Sequence, residues 1–346
     1  DEEAVAMYNA SALLIPYLPA LAASSPMYDG ELQDAVDNRL AWILEHQARI
    51  PESQGEIVPE YIDSLADYRK RILGGMYAAL DRIPDTGPIR HEFFNARGAV
   101  FKASSKRMEV RVLDTQECVR MDMAVSTFVR SALKTRTQRV MEGRAPLPAH
   151  AVLVADFRAT VRDGSRARVT APHFGSVARD AEGRAEVRDV LRVLLEDARR
   201  SVRKDEADYL ELAGRIVEAG TLSERIRAAL LPFQEAEDEV FTDAARRIYI
   251  ELMDCLEANE PWARRWGGAA PPPPRPRSSP WPRRGAPPAG PRRRRRCPGA
   301  SWWSASTGAC SRWSAAGAEP RPRSARGRGA AAGRCSWTGR AASSSP

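Results

Sequence analysis

The sequence predicts an α+β fold: a partial antiparallel sheet backed by helices, a helical C-terminal region, and a disordered tail. Three observations carry this. Two short segments, HEFFNARGAVFKA (91–103) and KRMEVRVLD (106–114), read as strands on either side of Ser104-Ser105, as neighbouring strands or a hairpin would. Stretches before and after them repeat apolar residues at helical spacing. Finally, residues 269–346 contain no Leu, Ile, Val, Phe, Met or Tyr, and such a composition cannot pay the entropy of folding.

The elements follow in order. Residues 3–23, EAVAMYNASALLIPYLPALAA, read as an apolar helix kinked at its prolines. SSPMYDG (24–30) is a turn, 31–47 is polar and partly helical, and ARIPESQGEIVPE (48–60) is a loop long and polar enough to face a substrate. Tyr61, Ile62, Leu65, Tyr68, Ile72 and Met76 then recur at helical spacing over 59–82. In the second strand Met108, Val110 and Val112 alternate with Glu109 and Arg111, so the two charged side chains share one face. Asp114-Thr115-Gln116-Glu117 has the spacing of a capping box. It opens a helix over 117–135 with Met121, Val125, Phe128, Val129 and Ala132 facing inward. Residues 151–171 hold a helix or strand, an Asp-Gly turn and a short strand. From 185 to 256 the chain is helical, with Gly220 as a C-cap.

Charge is unevenly placed. The net +8 comes from the tail: residues 261–346 hold 18 Arg against one acid, Glu319, whereas residues 1–260 hold 35 basic and 44 acidic residues, a net −9. The pI of 9.5 is therefore no argument for nucleic-acid binding by the main part. The run Arg292–Arg296 and the tail tryptophans could bind RNA, and this stays as an alternative reading. The tail's residues are those of GC-rich codons, so it is expected to be an out-of-frame translation of GC-rich DNA. The five Cys show no zinc spacing, and reduced thiols in a cytoplasmic protein are the default. ALLIPYLPALAA is too short and too proline-interrupted to span a membrane. His91, His150 and His173 lack an acidic partner at catalytic spacing and read as structural or surface residues. Cys118 lies in the first turn of a helix and reads as a buried, inert thiol.

On spacing alone, Glu109 and Arg111 are a surface ion pair worth little. The surrounding residues change that. LPALAASSPMYDG (18–30), DNRLAWILEHQARIPESQGEIVPE (37–60) and EFFNARGAVFKASSKRMEVRVLDTQECVRMDMAVSTFVRSAL (92–133) resemble the GCS2-type glutamate–cysteine ligases, the bacterial carboxylate–amine ligases. The likeness runs from residue 1 to about Trp266, including NEPW (259–262), and is looser from 145 to 256. More distantly, Arg107–Asp114 is similar to the RxEVRxxD segment of glutamine synthetases. The resemblance implies a glutamine synthetase-like sheet forming a funnel for ATP, magnesium and glutamate. It implies Glu109 as a magnesium ligand, Arg111 on the glutamate carboxylate or the transferred phosphoryl, and Arg97 neutralising phosphate. Arg39 would meet substrate, and Lys102 is a further candidate. Residues 1–145 would then be the C-terminal half of the catalytic domain, 146–266 its helical remainder, and 267–346 the tail. The implied reaction joins glutamate to cysteine or another amine through an acyl phosphate. Family members begin upstream, so the chain is expected to be an incomplete and inactive fragment. A non-catalytic binding or regulatory protein that kept the fold is the second alternative.

Overall fold

The computed structural model describes residues 1–46, 50–83, 94–102, 105 and 107–263. The expected disordered tail, the frame argument, His91 and the start of the first expected strand lie outside the described residues.

The fold is α+β. Helix α1 (Glu2–Leu14) runs into a 3-10 turn at Ile15–Tyr17 and a short α2 (Pro19–Ala22). Pro16 and Pro19 stand at the starts of these two pieces, where a missing N–H costs nothing. The expected turn at 24–30 is a tight hairpin: β1 (Met27–Tyr28) pairs antiparallel with β2 (Glu31–Leu32). Asp29 and Gly30 bridge it at φ 49° and 85°, both positive as a type I′ turn requires. Helix α3 (Asn38–Glu45) is capped by Asp37, whose side chain accepts the Leu40 N–H.

The expected loop at 48–60 contains a helical turn, α4 (Pro51–Gln54), and an isolated bridge between Glu56 and Val58. The next helix begins at Leu65, not at 59, because Ser64 caps it through the Asp67 N–H. It comprises α5 (Leu65–Asp67), a π-wound segment Tyr68–Leu73, and α6 (Gly74–Leu80). Strands β3 (Ala99–Lys102) and β4 (Arg107–Val110) pair antiparallel, as the alternation predicts. The sheet is not one layer: among the described residues it is three separate two-stranded pairs.

Helix α7 (Val119–Met141) is the centre of the molecule, with α1, α9 (Val187–Arg199) and α10 (Ala207–Ala219) packed round it. Its expected inward residues Met121, Val125, Phe128, Val129 and Ala132 are all buried. The capping box at 114–117 is a misreading, because the helix starts at Val119 and no side chain caps it at Cys118. Residues 151–171 resolve into α8 (His150–Asp163), a turn at Gly164, and β5 (Arg168–Val169), which pairs with β6 (Ala185–Glu186). Gly220, at φ 92°, ends α10. A true capping box formed by Thr221 and Glu224 starts α11 (Leu222–Leu230), and α12 (Asp238–Ala258) completes the described chain. Among the described residues no helix is long and apolar enough to cross a membrane.

Candidate functional site

The β3–β4 register decides which side chains meet. Val100 faces Glu109 and Lys102 faces Arg107. Partners across a strand pair point to the same side, so Lys102, Arg107, Glu109 and, two residues on, Arg111 share one face. The other face carries Phe101 and Met108, with Phe101 packed among Tyr8, Ile62, Tyr68 and Ile72. An apolar underside thus anchors a strand pair whose upper side is charged.

Glu109 sits between two cations. Arg111 donates to it through Nε at 2.9 Å and Nη2 at 3.3 Å, and Lys102 Nζ lies 3.4 Å away. The hydrogen bond from Arg111, then its charge and that of Lys102, hold the Glu109 carboxyl below the usual range, so it is ionised at neutral pH. Its side chain is 46% exposed. Four of the five expected site residues are joined here: Arg39 donates to the Arg111 carbonyl at 3.4 Å and pairs with Asp114.

Asp114 is the correction to the capping expectation. Its Oδ2 accepts the Ser24 N–H and the Ser25 hydroxyl, each at 2.9 Å, and its Oδ1 holds Arg39. It ties the start of α3 to the end of β4. Glu117 is likewise no cap: it is buried against Arg225 at 3.0 Å.

Arg97 is placed differently. It is 4% exposed and forms a two-pronged pair with Glu60, at 2.5 and 2.8 Å. Its Nη1 donates to the Glu52 carbonyl at 3.1 Å and to Asn95 Oδ1 at 3.3 Å. Burial alone would raise the Glu60 carboxyl, but the Arg97 hydrogen bonds and charge outweigh it and lower it. Gly55 makes room for the pair. Its φ is 54°, and a Cβ there would meet both Arg97 Nη2 and Glu60 Oε1 at 3.0 Å. Gly98 lets the chain pack closely on itself: a Cβ there would stand 2.7 Å from Val112 Cγ1.

The arginines are linked through Asn95. Its carbonyl accepts from Arg111 Nη1, its Oδ1 from Arg97, and its Nδ2 donates to the Tyr68 hydroxyl at 3.1 Å. Glu60 and Asn95 were not candidates from the sequence. Asn95 lies two residues before Arg97, but nothing in that spacing says the side chain turns inward, and Glu60 sits in a segment read as an exposed loop.

Magnesium characteristically takes one or two protein carboxylates and completes its shell with phosphate and water. Glu109 fits as one such ligand. No group of three or more His, Cys, Asp or Glu that could hold a metal occurs among the described residues. Of the histidines, His173 Nε2 meets the Leu13 carbonyl at 3.1 Å and His150 Nε2 the Val58 carbonyl at 2.9 Å. Cys118 is buried, and burial first raises its thiol.

Known proteins share this arrangement of sequence. The family model described as glutamate-cysteine ligase family 2 (GCS2) matches residues 1–249. An uncharacterized protein of Archaeoglobus fulgidus is 29% identical over 260 residues, which cover 75% of this chain and 61% of that protein. The chain thus spans about three fifths of that relative's length.

Proposed function

The chain belongs to the glutamate–cysteine ligase family 2, and from that membership we propose that it serves ATP- and magnesium-dependent ligation of the glutamate γ-carboxylate to an amine, that of cysteine first. The γ-carboxylate attacks the terminal phosphorus of ATP. ADP leaves, and an acyl phosphate forms. The amine nitrogen then attacks the acyl carbon, phosphate departs, and the amine loses a proton to give the amide.

The observation that supports this reading is the charged face of β3–β4. Phosphoryl transfer needs positioning and charge stabilisation more than covalent chemistry from the protein. Arg111 is permanently charged and forked, so it suits a carboxylate or phosphoryl oxygen pair. Lys102 adds a second positive charge 3.4 Å from Glu109. Arg39 is 37% exposed along its side chain and is held by Asp114 at the same edge, where a substrate carboxylate could meet it. Arg97, its charge matched by Glu60, contributes by supporting that edge. When bound, magnesium would neutralise phosphate charge, and Glu109 would hold it. In the described structure the two cations occupy that carboxylate, so they compete with the metal for it.

The test is release of ADP from ATP by the 346-residue chain with magnesium, glutamate and a panel of amines. Whatever ADP release the chain supports should require both glutamate and cysteine, with Arg111→Ala lowering kcat by roughly 10²–10³, the loss typical for one charge-stabilising group. ADP release indifferent to glutamate, or unchanged in Arg111→Ala, would overturn the assignment. No release from the chain alone would count against its sufficiency for the reaction.

A further inference from the structure

We propose that Asn95 is a positioning residue that couples Arg97 to Arg111, so that the two arginines are set as a unit. Its consequence for catalysis rests on the ligase reading; the coupling itself does not.

Asn95 is fully buried. With its side-chain oxygen it accepts from the Arg97 N–H and from Arg97 Nη1, both at 3.3 Å. With its amide nitrogen it donates to the Tyr68 hydroxyl at 3.1 Å. Its main-chain carbonyl takes Arg111 Nη1. One residue thus holds the first arginine by its side chain and the second by its backbone. Losing the side-chain bonds would loosen the peptide whose carbonyl orients Arg111 on its Asn95 side, leaving the Ala96 N–H as its remaining tether. The rest of the surroundings is already braced. Glu60 fixes the far side of Arg97, and the Ala96 N–H is bonded to the Ser53 carbonyl at 2.7 Å.

The residue type suits the task. A buried amide can accept from a guanidinium and donate to a hydroxyl at once. It does so without a charge of its own, so it orients Arg97 without cancelling the positive field of the face. Arg111 in turn lies under Arg39, which donates to its carbonyl at 3.4 Å. Setting Asn95 therefore sets the support of two of the expected anion-binding side chains, Arg97 and Arg111.

The experiment measures hydrogen exchange at the arginine Nε–H groups by nitrogen-15 NMR. In the unaltered chain the Nε–H of Arg97 and of Arg111 both face carboxylates, and both are expected to exchange slowly. Asn95→Ala is expected to speed exchange at Arg111 about 10-fold or more, the effect of losing one hydrogen bond to a charged group. That substitution removes no atom Arg111 touches. Asn95→Asp retains the oxygen acceptor and is expected to restore slow exchange. Asn95→Ser provides the same reading should the alanine variant fail to fold. Unchanged exchange at Arg111 in the alanine or serine variant, or fast exchange in the aspartate variant, overturns the coupling.

A second arm reads function. Asn95→Ala should raise KM for glutamate in the ADP-release assay about 10-fold. Equal KM in all forms with slow exchange lost would overturn the catalytic consequence while leaving the coupling. Absence of glutamate-dependent ADP release in the unaltered chain counts against the ligase reading, and the exchange arm still decides the coupling.

Discussion

Two buried titratable residues pull the stability of this chain in opposite directions over one pH range. Asp37 is fully buried. Burial first, and then the neighbouring Asp114, push its carboxyl up to about 7, from roughly 3.9 in an unfolded chain. Its folded form prefers the proton, so its contribution is full below about pH 4 and is lost as pH rises through about 7. His173 is the reverse. Burial first holds its imidazole down to about 4, against roughly 6.5 when unfolded. Its contribution is present above about pH 6.5 and is lost as pH falls through about 4, a change of about 3 kcal/mol. Asp37→Asn keeps the helix cap, since Asn caps as well as Asp, and removes one of the two slopes. Urea unfolding between pH 4.5 and 7.5 should therefore show the variant gaining stability with pH relative to the parent. Parallel profiles would contradict this pairing of effects.

Elements are held together here by charges that no local pattern reveals. Arg225 of α11 and Glu117, before α7, form an ion pair at 3.0 Å with side chains 1% and 0% exposed. The same carboxylate accepts the Trp262 N–H at 3.1 Å, and Arg225 Nη1 donates to the Trp262 carbonyl at 3.0 Å. This clasp fastens the segment after α12 to the start of α7. Arg225→Met leaves the Glu117 charge buried and should cost about 3–5 kcal/mol. Adding Glu117→Gln should recover much of that, as equilibrium unfolding of the single and double variants would show. The helices themselves were legible in the sequence, because Met121, Val125, Phe128, Val129 and Ala132 repeat at a period that only a helix satisfies. The clasp was not. Glu117 and Arg225 stand 108 positions apart, and Glu117 fits a capping pattern well enough to be misread as one. The β3–β4 pair was legible from its alternation, whereas its isolation as one of three two-stranded pairs depends on distant packing.

At the scale of the molecule, the candidate site is a property of the whole assembly of elements. Glu109 and Arg111 were readable as one face from strand alternation alone, and the β3–β4 register adds Lys102 to it. Asn95, Glu60 and Asp114 were not, because each acts on an arginine brought to it by another part of the chain. Their effect is to fix positive charge at the edge of a strand pair seated on α1 and the π-wound segment Tyr68–Leu73. Under the proposed reaction this edge would stabilise the acyl phosphate, and the fate of one oxygen atom reports on that intermediate. Glutamate labelled with oxygen-18 in its γ-carboxylate, incubated with the chain, ATP, magnesium and cysteine, is predicted to transfer one labelled oxygen to each phosphate released. Phosphate released without label would contradict the account, as would ADP formation that needs no glutamate.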